Sequence, residues 1–182
     1  LVARGLAAAG DTVQVYAPES SEADTLDMGV TVHRLRGHFG VHALLQLSRL
    51  LGRRNNDRLL VQFVPHAFGF KAMNLPFCLW LYAYSLINGG VAAIFHEVNL
   101  GFRQGDPARY RLLDAVTKVM ARLVARSASR IFVATLAWES RLRNYVPHDQ
   151  PILCLPVPSN ISIVADRVTI AETRRRYASS QG

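Results

Sequence analysis

Lysine is nearly missing from this chain. Of 21 Lys and Arg residues only Lys71 and Lys118 are lysine; the rest are arginine. Acid is short as well, at 13 residues, so the formal net charge is +8. Arginine suits bidentate contacts to phosphate. The balance therefore admits nucleic acid, anionic lipid or a phosphorylated substrate, and arginine usage set by genomic base composition explains it equally well. Cysteine is scarce: Cys78 and Cys154 each sit in an apolar run, FCLW and ILCLP. A buried reduced thiol is the expected state of each, with a disulfide as the lesser alternative, and this points to a cytoplasmic setting. No apolar run is long enough to cross a bilayer. The longest, Leu75 to Ile87, is interrupted by Asn88-Gly89-Gly90 and falls short of the ~20 residues required. It reads as a buried or interfacial helix. Also missing are a Walker loop, a G-x-S-x-G elbow, a nucleic-acid motif and clustered metal ligands. The pair His96-Glu97 does not open a zinc motif, because position 100 is leucine.

What is present is an alternation of short apolar runs with helical patterns. Leu1 to Ala9 is alanine-rich and helix-compatible, and Gly10 ends it. Thr12 to Tyr16 and Val30 to Leu35 read as strands. Val41 to Leu51 has apolar residues at helical spacing. Leu59 to Val64 is a near-continuous apolar strand ended by Pro65. Leu75 to Ile87 is a helix with Pro76 in its first turn, and Val91 to Phe95 is a buried strand. Asp106-Pro107 starts a helix that runs to about Ser127, with Leu112, Leu113, Val116, Val119, Met120, Leu123 and Val124 as its apolar stripe. Arg130 to Ala134 and Ile152 to Leu155 are strands on either side of a short helix from Trp138 to Tyr145, and Glu172 to Tyr177 starts a last helix. The pattern specifies an α/β fold: a Rossmann-like parallel sheet with helices on both faces. The opening helix leads into a strand, yet in a doubly wound sheet it should follow an earlier, central one.

Ligands of such sheets bind at the C-terminal ends of strands. His96 and Glu97 emerge directly after VAAIF and form the sharpest candidate. The imidazole can donate to a substrate hydroxyl or phosphate and the carboxylate can accept from sugar hydroxyls. A structural strand-end histidine is the competing reading. His66 follows LLVQFVP in the same way, against the alternative of a turn histidine packed beside Phe68 and Phe70. Arg103 lies a short loop beyond His96 and can meet a phosphate, or simply be solvated. Ser159 and Asn160 close the final strand behind two stiffening prolines, Pro156 and Pro158. The basic helix from Arg109 to Arg126 admits an anionic membrane surface, though a core stripe with a solvated back is the commoner arrangement. Phe77, Trp80, Tyr82 and Tyr84 cluster with Leu75, Leu79, Leu81 and Leu86, which favours buried packing over base stacking.

In order along the chain, LVARGLAAAGDTVQVYAPES, VAAIFHEVNLG, SASRIFVATLAWESRLRNYVP and PILCLPVPSNI resemble successive segments of the N-terminal domain of family-4 GT-B glycosyltransferases. The first resembles the stretch after the family's glycine-rich loop, with Asp11 where a histidine is usual. The resemblance implies a Rossmann-like acceptor-side domain over residues 1–165, truncated at its N-terminus, and the start of an interdomain segment over 166–182. It further implies a retaining enzyme that moves a sugar from a nucleotide-sugar to a sugar or lipid-linked acceptor, without a cofactor or metal. His96 matches the family's strand-end histidine and Glu97 its acidic neighbour. Ser159 and Asn160 match the segment before the linker. The family's first strand, its glycine loop and the C-terminal donor domain are not in these residues, so the fragment alone is expected to be inactive.

Two other readings stand beside sugar transfer. One is a non-catalytic Rossmann-like module docking on a partner or membrane. The other is another nucleotide-sugar enzyme on the same scaffold, such as an epimerase. The expected location is cytoplasmic, with peripheral contact at the inner membrane face suggested by the basic charge and the apolar helix. Nucleic acid is not an expected partner.

Overall fold

The computed structural model describes residues 2–20, 26–27, 29–52, 58–68, 70–99, 101, 105 and 107–156. Helix α1 (Val2–Ala8) ends at Gly10, whose φ of 98° is open to glycine at no steric cost. Strand β1 (Val13–Pro18) follows. A two-residue strand, β2 (Leu26–Asp27), not foreseen in the sequence, pairs antiparallel with β3 (Val30–Leu35). Then come α2 (Val41–Leu51), β4 (Leu60–Phe63), two short 3-10 turns, α3 (Leu75–Asn88), β5 (Val91–Phe95), α4 (Ala108–Ser127), β6 (Ala128–Val133), α5 (Leu136–Leu142) and β7 (Ile152–Cys154). Helix α4 starts one residue later than its proline suggested: Pro107 is the N-cap, and Asp106 lies outside the described residues. So does the helix expected at Glu172 to Tyr177.

The class is the expected one, an α/β fold with Rossmann-like parallel pairing. The strands form two hydrogen-bonded groups, β1-β3-β2 and β4-β5-β6-β7. β1 and β3 run parallel from Val13↔Val30 to Pro18↔Leu35, and β4 to β7 are parallel throughout. From β4 onward every connection moves the same way across the sheet. Right-handed crossovers therefore put α3, α4 and α5 on one face, and α2 packs against α3. Among the described residues, no strand pairs with the outer edge of β1 or of β4.

Strand alternation divides the larger group into two unlike faces. Val61, Ala93, Ile131 and Ile152 form one row, and Phe63, Phe95 and Val133 the next, all buried beneath the helices. The opposite face carries the exposed Gln62, Arg130 and Leu153 together with Ile94, which is buried, and Phe132, which is half-buried. One core joins both strand groups, with Leu35 and Phe39 packed into the same cluster as Phe63, Leu81, Phe95, Met120 and Val124.

Three sequence expectations need correcting. The buried face of α4 is Asp114, Thr117, Met120, Ala121, Val124 and Ala125, whereas Leu112 and Val119 are exposed. Alanine and threonine let α3 and α4 approach closely, and a stripe drawn from large apolar side chains passes over them. Cys78 is buried but Cys154 is exposed, on a strand that has a hydrogen-bonded neighbour on one side only among the described residues. Both thiols are free. Leu79 and Leu86 are not packed with the aromatics of α3; they face solvent.

Candidate functional site

Each parallel strand hands its chain to the C-terminal edge in the same way. The His96 N–H donates to the Phe63 carbonyl at 3.1 Å, Ala134 N–H to Phe95 at 2.9 Å, and Leu155 N–H to Val133 at 2.9 Å. The ladder thus continues one residue past each strand, and His96 is held as rigidly as the sheet itself. Because Phe95 points into the core, alternation turns His96 to the open face, alongside Gln62. Its Nε2 lies 3.2 Å from Gln62 Oε1. With the proton on Nε2 this is a hydrogen bond that orients the ring and leaves Nδ1 free to accept. Glu97 follows, half-buried like His96.

His66 is exposed in the 3-10 turn Pro65–Phe68 that leaves β4, next to β5 in the sheet. The structure therefore brings His66, His96 and Glu97 to one edge on adjacent strands. Arg103, Ser159 and Asn160 lie outside the described residues.

Two further features of this edge were not among the sequence expectations. At the end of β3 the loop Gly37-His38-Phe39 is left-handed throughout, with φ of 77°, 47° and 58°. Left-handed backbone costs side-chain-bearing residues energy and persists only where the surroundings enforce it. Here Asn74 enforces it. Fully buried, it donates from Nδ2 to the carbonyls of His38 and Phe39, each at 3.3 Å. Its Oδ1 accepts the Phe77 N–H at 3.0 Å and so caps α3. Lys71 and Ala72, just before it, are also left-handed. Phe39 closes the clamp edge-on against Phe77 at 5.3 Å.

The second feature is the anchor of the loop that carries His96 and Glu97. Asn99 Nδ2 donates to Asp114 Oδ1 at 2.8 Å, Lys118 Nζ lies 2.6 Å from Oδ2, and the Gly101 N–H also reaches this carboxylate. Burial alone would raise the Asp114 pKa, but the hydrogen bonds from Lys118 and Asn99 outweigh it and hold the carboxyl below its ordinary range. Lys118 is shifted upward by the same hydrogen bond. A cleft of about 370 Å³ opens beside this network, lined by Asn99, Asp114, Lys118, Arg141, Asn144 and Tyr145. Asp114 could be suspected in the sequence as an acid four residues before Lys118. Asn74, just before Leu75-Pro76, could be suspected as the cap of α3, but its bonds to the His38 and Phe39 carbonyls, like that of Asn99 to Asp114, had no cue because those partners lie on other elements.

This geometry can bind and orient a polar ligand at the strand ends, with an imidazole and a carboxylate as donor and acceptor. Among the described residues, no group of three or more His, Cys, Asp or Glu is placed to hold a metal ion, and no helix is long and apolar enough to cross a membrane. No curated protein and no solved structure matches the chain. A family model, the glycosyl transferase 4-like domain, matches residues 1–158. With its parallel α/β sheet and its strand-end edge, the chain belongs to the glycosyltransferase 4-like domain family.

Proposed function

We propose that this domain forms the acceptor side of a retaining glycosyltransferase that takes its sugar from a nucleotide-sugar. The family match over residues 1–158 supports sugar transfer. The observation that carries the site assignment is His96, locked by its backbone to β4 and by its ring to Gln62 at the sheet's C-terminal edge. In this reading a new glycosidic C–O bond forms as the bond from the anomeric carbon to the diphosphate breaks. The proton of the acceptor hydroxyl leaves toward the departing diphosphate. Catalysis then rests on positioning and on stabilising that leaving group. His96 contacts the reacting sugars, Glu97 and His66 bind hydroxyls, Arg103 meets a phosphate, and Ser159 and Asn160, by their motif match, contribute further substrate contacts. The nucleotide-binding surface belongs to a donor domain that faces this edge, so residues 1–182 by themselves bind acceptor without turning over.

The test is turnover of the full-length protein with a panel of nucleotide-sugars, followed by His96→Ala. Removing a positioned donor at the reacting centre is expected to lower kcat/KM about 100-fold. Unchanged turnover in that variant would overturn the role given to His96. If the wild type releases no nucleoside diphosphate with any donor, the non-catalytic module is the better reading.

A further inference from the structure

Helices α2, α3 and α4 form one layer, α2 over β3 and against α3, α3 along α4, and α4 over β5 and β6. Together they contain a single acid, Asp114, which is buried and paired with Lys118. Arg49, Arg109, Arg111, Arg122 and Arg126 on the same helices are all exposed. Helix α3 has no charged residue at all. Its outward positions Pro76, Leu79, Ala83 and Leu86 repeat at spacings of three, four and three residues. Leu79, Leu86 and Ile87 are 55%, 71% and 69% exposed. Val41 and Leu45 of α2 and Leu112 and Val119 of α4 are exposed beside it. Between α2 and α3 the Trp80 indole N–H donates to Ser48 Oγ at 2.7 Å and its ring stacks on Tyr84.

An aliphatic ridge of this kind, with tryptophan and tyrosine at its flank and arginines around it, is solvated at a cost that an occupant must offset. We propose that this layer docks on the anionic headgroup face of a lipid bilayer. Leu79, Leu86 and Ile87 enter the acyl boundary, and the arginines of α2 and α4 meet lipid phosphates. The 14 residues of α3 are too few to span the membrane, so the helix lies in its plane. The aliphatic centre argues against nucleic acid, which offers phosphate but no matching apolar surface. A second copy of the same face is disfavoured because two-fold pairing would set arginine rim against arginine rim. The inference is independent of the sugar-transfer reading, since binding is measured with no donor present.

The full-length protein is to be co-sedimented with phosphatidylglycerol vesicles and, separately, with phosphatidylcholine vesicles. Binding to phosphatidylglycerol that weakens as salt is added, with little binding to phosphatidylcholine, is expected. Leu79→Glu combined with Leu86→Glu should weaken it about tenfold or more. Arg49→Glu with Arg126→Glu should abolish the preference for the anionic lipid. Both pairs are exposed, and unchanged thermal melts will show that the fold is kept. Leu86→Ser alone should give a smaller loss in the same direction if the acidic pair proves not to fold. The proposal fails if the wild type ignores phosphatidylglycerol, or if the folded variants bind it as well as the wild type. It fails equally if Leu86→Ser lowers the oligomeric mass by light scattering while vesicles are ignored, which would give the face to a second copy.

Discussion

Three hydrogen bonds of the Asn74 amide each do separate work. Two hold the carbonyls of left-handed residues and the third caps a helix. Truncation leaves the Phe39 carbonyl and the Phe77 N–H buried without this partner, frees the part-buried His38 carbonyl and releases the enforced backbone. Asn74→Ala is therefore expected to cost about 2–4 kcal/mol, seen as a lower Tm and denaturant midpoint. Asn74→Asp keeps the cap oxygen but sets a buried carboxylate against two carbonyl oxygens, and is expected to cost at least as much. Asp114 supplies a pH signature. Its folded pKa lies below the unfolded value, so its contribution is present above about pH 4 and lost as pH falls through the folded value. Lys118 shifts the other way, and its contribution is lost only as pH rises through the folded lysine value. Acid melts of wild type and Asp114→Asn are expected to converge as pH falls, with the variant the less stable at neutral pH. Parallel curves would show that the carboxylate charge is not what anchors the loop.

At the scale of elements, the helices and strands were legible because each is built from near neighbours in sequence. Val30–Leu35, Val41–Leu51 and Val91–Phe95 coincide with their expected bounds, since β-branched runs, helical spacing and flanking glycines act locally. The faces were less legible. On α4 the buried residues are partly small and polar, and on α3 the outermost side chains are leucine and isoleucine. Hydrophobicity marks what favours burial, and the number of neighbouring elements decides what is buried. Junctions between strands show the same dependence. Gly90 precedes β5 where a Cβ would sit 2.1 Å from Ser129 Cβ on β6, too close for a side-chain rotation to relieve. Gly90→Ala is expected to destabilise by about 1–3 kcal/mol through displacement of the β5–β6 start. Amide exchange at Ala92 and Ala93 should quicken in step with the lower Tm.

For the molecule as a whole, the two strand groups leave the outer edges of β1 and β4 without a strand partner among the described residues. One parallel strand between them would join the sheet into the order β2-β3-β1-x-β4-β5-β6-β7, the doubly wound arrangement with its ligand crevice at the switch point. A chain carrying such a strand is expected to melt at a higher temperature, and to aggregate less readily, than residues 1–182 by themselves. Equal melting temperatures and equal solubility would show that the open edges carry no such cost.

The sequence by itself determined the α/β class, the parallel pairing, the positions of the elements and the edge at which His66, His96 and Glu97 emerge. Those follow from periodicity and from the handedness of crossovers, which operate over a few tens of residues. Only the tertiary structure decided that Asn74 clamps a left-handed loop 35 residues upstream, that Asp114 anchors the loop behind His96, and that Leu79 and Leu86 stay in solvent. Each of these depends on what a distant part of the chain places alongside, and a hydrogen-bond partner or a covered face leaves no periodic trace in the residues that need it.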